Sequence, residues 1–64
     1  MRRPKDDQVL AMLYDMTKTT CMMEFLEQTR AEQLKALADL RKKGASIRQL
    51  EKLTGIGRGV IQNL

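Results

Sequence analysis

Arg58, Gln62 and Asn63 lie close together near the end of a 64-residue chain. On a helix, the arginine would sit one turn before the two amides. A guanidinium in that position could bind guanine bidentately or clamp a phosphate, and either carboxamide could pair with adenine. The plainer alternatives are a solvated arginine, ordinary polar helix surface and, for Asn63, an end cap. Arg48 and Gln49 fall on the expected first turn of the preceding helix, where they would face backbone phosphates, although capping competes for Gln49. Arg41, Lys42 and Lys43 read equally well as a phosphate-facing cluster or as a cationic helix stop. Gly57 and Gly59 flank Arg58. An interior glycine costs a helix roughly 0.5–1 kcal/mol relative to alanine. That cost is understandable if Gly59 lets the backbone approach a phosphate or base, and a frayed helix start is the competing explanation.

Other chemistry finds no support. There is no histidine, and the single cysteine, Cys21, excludes an internal disulfide and a zinc cluster. Cys21 also lacks a partner base and reads as a small buried hydrophobe. Nothing gathers Asp6 and Asp7, or Glu24 and Glu27, into a shared pocket. The run Gly55-Ile-Gly-Arg-Gly superficially suggests a phosphate-binding loop, but no strand precedes it and no Gly-Lys-Ser/Thr follows. Met22 and Met23 read as core. The expectation is a non-enzyme with no cofactor, no metal and no small-molecule substrate.

The charge is uneven. Residues 1–29 carry four basic and five acidic side chains, whereas residues 30–64 carry eight basic and three acidic. The positive excess therefore sits with the glycine-punctuated ending, which suggests a polyanion as partner; a solvated basic surface would look the same on charge alone. The basic start, MRRPKDD, is not followed by the apolar run of a signal peptide. No stretch approaches the ~20 apolar residues of a membrane span. With one unpaired cysteine, a reducing, cytoplasmic setting is expected.

Helices must position these residues. Val9, Leu10, Met12, Leu13 and Met16 recur at helical spacing, with Asp6 expected to cap the first turn. The threonine-rich run Thr17–Thr20 breaks that pattern. Cys21, Met22, Met23, Phe25 and Leu26 suggest about two turns after a Thr20 cap. Thr29 with Glu32 forms a capping box, so one helix should end near Gln28 and another start at Arg30; a single helix from Thr20 to Lys43 is the rival. Leu34, Leu37, Ala38 and Leu40 give the third helix its apolar face, and Gly44 can stop it. Ser46 and Gln49 form a second capping box, opening a helix lined by Ile47, Leu50 and Leu53. Thr54-Gly55 ends it, with Thr54 in a structural role. Ile56 plugs the turn, Gly57 starts the last helix, and Val60, Ile61 and Leu64 are expected to bury it.

Two short helices joined at a glycine, with an apolar plug between them, make a helix-turn-helix. Such a unit offers the start of its second helix to a major groove. The stretch SIRQLEKLTGIGRGVIQ resembles the C-terminal helix-turn-helix of the tyrosine transposases associated with repetitive extragenic palindromes, and related Trp-repressor-like DNA-binding domains. KDDQVLAM and EQTRAEQLKALADLRKKGAS are similar to the region upstream of that unit. The resemblance spans Asp6 to Leu64 and is strongest from Leu37 onward. It implies binding to a mobile-element or hairpin-forming DNA site in a bacterial setting, in recombination or transcription regulation. It does not imply transposition, because the family's paired histidines are missing and Tyr14 lies inside the first helix. Glu51 departs from the small residue expected where the two helices cross, so it must turn outward or widen the crossing.

The expectation is one all-α domain over residues 1–64, with four to five short helices. Residues 30–64 form a Trp-repressor-like three-helix core, and residues 1–29 form accessory or dimerisation helices. The expected partner is DNA, with a possible homodimer through the N-terminal helices and no membrane. The alternative is a protein-interaction module that uses the same scaffold without DNA.

Overall fold

A computed structural model of the chain describes residues 3–64; Met1 and Arg2 of the basic start lie outside the described residues. The described residues form five helices and no strand: α1 (Asp6–Thr17), α2 (Met22–Leu26), α3 (Arg30–Lys42), α4 (Ile47–Thr54) and α5 (Arg58–Gln62). None of these helices is long and apolar enough to cross a membrane.

Each break has a local cause. Lys18 ends α1 in the left-handed region at φ 57°. Thr29 starts α3 by accepting a hydrogen bond from the Glu32 amide, and the chain is not helical between Leu26 and Arg30, which overturns the single long helix. Only this half of the expected capping box forms among the described hydrogen bonds. Gly44 follows α3 at φ 108° and Gly55 follows α4 at φ 78°, conformations that an L side chain adopts only at a steric cost. The Ser46–Gln49 capping box is complete: the Ser46 hydroxyl accepts from the Gln49 amide at 3.0 Å, and the Gln49 side-chain oxygen accepts from the Ser46 amide at 3.4 Å.

Two caps differ from expectation. The residue before α1 is Lys5, whose amide donates to Gln8 Oε1; Asp6 is already helical, and its carboxylate reaches across to α4 instead. The residue before α2 is Cys21, while Thr20 donates through its amide and its hydroxyl to Glu24.

A single core draws on both halves of the chain. Val9 and Leu13 of α1, Phe25 of α2, Ala36, Leu37 and Leu40 of α3, Leu50 of α4, Ile56 of the turn and Ile61 of α5 are all buried. The N-terminal helices therefore complete the same core as α3–α5. Four apolar expectations fail. Cys21 is exposed, and so are Met23 at 73%, Val60 at 40% and Leu64 at 43%. The reason is length. Helices α2 and α5 have five residues each, so each can turn only about one side chain fully inward. Those inward residues are Phe25 and Ile61.

Gln33 is the unexpected core residue. It is buried, and its Nε2 donates to the carbonyl oxygens of Leu26 and Gln28 at 3.0 and 3.1 Å, with a longer contact to Phe25 O. It thereby satisfies carbonyls left open where α2 ends.

Candidate nucleic-acid interface

The turn between α4 and α5 comprises Gly55, Ile56 and Gly57. Gly55 takes the left-handed conformation and its amide donates to Glu51 O at 2.8 Å. Ile56 is buried, as its apolar side chain requires. The Thr54 hydroxyl donates to Leu50 O and accepts from the Ile56 amide. That places Thr54 in the structural role its position suggests, locking the plug residue to the end of α4. The crossing at Glu51 is solved outward: its carboxylate leaves the helix contact and meets Arg58 across the turn, at 3.5 Å.

Every basic residue between Arg30 and Leu64 is exposed. Among the described residues only two of these cations pair with a carboxylate, Lys52 with Asp6 at 3.0 Å and Arg58 with Glu51. Arg41, in the last turn of α3, also donates to Ala45 O at 3.1 Å, which ties its side chain to the segment that follows the helix.

The residues singled out for nucleic-acid contact fall into separate groups. Arg41, Lys42 and Gln62 line one depression with Ala38, Ile61 and Leu64, where the end of α5 lies against α3. Lys43 faces a different depression with Arg3 and Lys5. Arg48 and Gln49 border a third with Arg3, Asp6, Ser46 and Lys52. Arg58 stands at the first position of α5 beside Gly57 and Gly59.

Two of these residues are already committed within the fold. Besides its capping bond, Gln49 donates through Nε2 to Pro4 O and to Asp6 Oδ1, both at 2.9 Å. Its amide hydrogens thus both have internal acceptors, so Gln49 holds the N-terminal segment on α4. Asn63 donates to Gly59 O at 2.9 Å, the end-cap role. Gln62 and Arg48 remain exposed, with no side-chain partner among the described residues.

The carboxylate of Asp6 titrates below its ordinary range, chiefly because Gln49 donates to it and then because Lys52 does. Glu24 is likewise lowered, by the amide and then the hydroxyl of Thr20. The contact of Glu24 with Thr20 is local, four residues apart, whereas Asp6 and Gln49 are 43 residues apart and beyond the reach of local pattern.

Packing within the chain does not require glycine at Gly57, before α5, or at Gly59, within it. A Cβ at Gly57 or Gly59 would meet nothing within 4 Å, and neither needs a positive φ. Gly44 and Gly55 are different, since both require a positive φ and Gly44 also packs on Pro4. No group of three or more metal-ligating side chains occurs among the described residues. Comparison with protein-family models, with curated proteins and with solved structures finds no match.

Proposed function

We propose that this chain is a DNA-binding helix-turn-helix domain, with α4 as the first helix of the unit and α5 as the helix presented to the groove. The observations that carry this reading are the exposure of all the basic side chains of residues 30–64 and the turn on Gly55 that joins α4 to α5. Such a surface attracts phosphates by releasing their counterions. Arg58 and Gln62 are the residues proposed to reach bases, and Arg41, Lys42, Lys43 and Arg48 to hold the backbone. Gly57 and Gly59 leave the backbone itself open to a partner at those two positions, on either side of Arg58. Gln49 and Asn63 act by positioning. The resemblance of Ser46–Gln62 to transposase-associated and Trp-repressor-like domains supports the same reading, in a mobile-element protein or a transcriptional regulator.

The Arg58–Glu51 pair does not prevent base contact. Both side chains are well exposed, and exposed pairs contribute only about 0–1 kcal/mol. Releasing it costs little beside the roughly 1–3 kcal/mol of a bidentate guanine contact.

Fluorescence anisotropy with a labelled mixed-sequence duplex tests the proposal. On such a duplex, affinity in the nonspecific range of about 10⁻⁴–10⁻⁶ M is expected, falling steeply with salt. No binding at low salt would overturn it.

A second reading, a protein-interaction or dimerisation module, has its own support. Met23 at 73% and Leu26 at 45% exposure lie three residues apart on α2. Sedimentation of the chain alone distinguishes the two, because self-association that Met23→Ser abolishes would favour this one.

A further inference from the structure

Residues 3–5 form a strap that the fold holds in place. Pro4 lies against Gly44, where its Cδ would be 3.3 Å from any Cβ. Gln49 donates to Pro4 O and to Asp6 Oδ1, and Lys52 donates to Asp6 Oδ2 at 3.0 Å. This clasp occupies both oxygens of Asp6, so the acid nearest the strap is neutralised by the contacts that anchor it.

The consequence is a gathering of positive charge. Arg3 borders two adjoining depressions. One, of about 680 Å³, also has Lys5 and Lys43 on its rim, and the other, of about 280 Å³, has Arg48, its Lys52 being already paired with Asp6. Apart from Asp6, neither depression contains an acidic side chain. Collecting like charges is unfavourable in the free chain and favourable against a polyanion. The small cost is borne at a place where a dedicated set of hydrogen bonds brings the strap to α4.

We propose that the Arg3–Lys5 strap belongs to the DNA-contacting surface, with Arg3 joining Lys43 and Arg48 into one track that follows a phosphate backbone. This rests on the DNA-binding reading above and extends it to a segment 40 residues or more from α4 in sequence. The strap supplies phosphate contacts beside the helix-turn-helix. Base reading stays with α5. Ser46 lines the same depression as Arg48, and its hydroxyl, which accepts from Gln49, keeps its hydrogen available for a phosphate oxygen.

The test measures the salt dependence of duplex binding for the full chain and five variants, using a labelled 20-bp mixed-sequence DNA. Each lost phosphate contact lowers the log–log slope by about 0.9. Over a fourfold rise in salt, that is roughly a 3.5-fold smaller loss of affinity. Arg3→Ala and Lys43→Ala should each show this, and Arg3→Lys should restore the slope of the unmodified chain. Lys35→Ala should leave it unchanged, because Lys35 lies in a different depression with Glu32 and Asp39. Helical circular dichroism checks that each variant is folded. A slope for Arg3→Ala equal to that of the unmodified chain, with Arg48→Ala still lowering it, would overturn the strap proposal and leave DNA binding standing. An equal fall for Lys35→Ala and Arg3→Ala would also overturn it, since the effect would then be one of net charge. Absence of binding by the unmodified chain would overturn both readings.

Discussion

Replacing Gly59 by alanine separates what the fold needs from what the partner needs. Gly59 lies inside α5, requires no positive φ, and has open space where a Cβ would be. Within the isolated chain the substitution should therefore stabilise. Removing an interior helical glycine gains about 0.5–1 kcal/mol, partly by restricting the unfolded chain. For a domain of this size that corresponds to a rise in Tm of roughly 2–8 °C. Against DNA the sign reverses. If the α5 backbone approaches a phosphate or base at Gly59, a methyl group enters a close contact, and overpacking of that kind costs about 1–3 kcal/mol. Affinity should then fall roughly 5- to 150-fold. Thermal unfolding by circular dichroism and anisotropy on the same preparation read the two effects. A more stable variant that binds as tightly as the parent would refute the close approach and make Gly59 only a weak helix start.

Four further outcomes follow from the contacts. Gln49→Ala removes two hydrogen bonds to backbone, at 2.9 and 3.4 Å, as well as the contact with Asp6; the two backbone bonds alone should lower stability by about 1–2 kcal/mol, read from the urea midpoint. Phe25→Ala empties the one fully inward position of α2, where exposure is 0%. The expected loss of about 3–5 kcal/mol is comparable to the whole stability of a small domain, and should leave the chain largely unfolded by circular dichroism. Asp6 and Glu24 have lowered pKa values in the folded chain. Their stabilisation is therefore complete above the ordinary carboxylate range and is lost as pH falls through the lowered values. Asp6→Asn combined with Glu24→Gln should flatten the decline in Tm measured below about pH 4. Glu51→Gln breaks an exposed pair and should change stability by less than about 1 kcal/mol. By freeing Arg58 and removing a negative charge it should tighten DNA binding in the anisotropy assay, and weaker binding would assign the pair a positioning role.

The sequence marks the helix boundaries well because each is a local event. Thr29, Gly44, the Ser46–Gln49 box and Gly55 act within a few residues of themselves, and all of them stand where the pattern puts them. Apolar spacing likewise identifies Val9, Leu13, Leu37, Leu40, Leu50 and Ile61 as core. The expectations that failed depend on distance or on length. Periodicity gives Val60 and Leu64 an inward face, but a five-residue helix does not carry that face around far enough. Gln33 looks like exposed helix surface until α2 folds back and presents its open carbonyls. Asp6 looks like a cap for its own helix, and its partners come instead from α4.

The candidate site divides in the same way. Arg48, Arg58 and Gln62 are exposed where the pattern implies. The dual commitment of Gln49 and the pairing of Glu51 with Arg58 appear only in three dimensions. Arg3 and Lys5 could not be placed from sequence, because their position depends on the clasp to α4 rather than on any signal in the strap itself.

Amide chemical-shift mapping during titration with duplex DNA tests the central claim most directly. The account predicts that the largest changes cluster at Ser46–Arg48 and at Gly57–Gln62, with further changes at Arg3 and Lys5, and that added salt reverses them. Changes confined to Met22–Leu26, or an unperturbed spectrum at low salt, would contradict it.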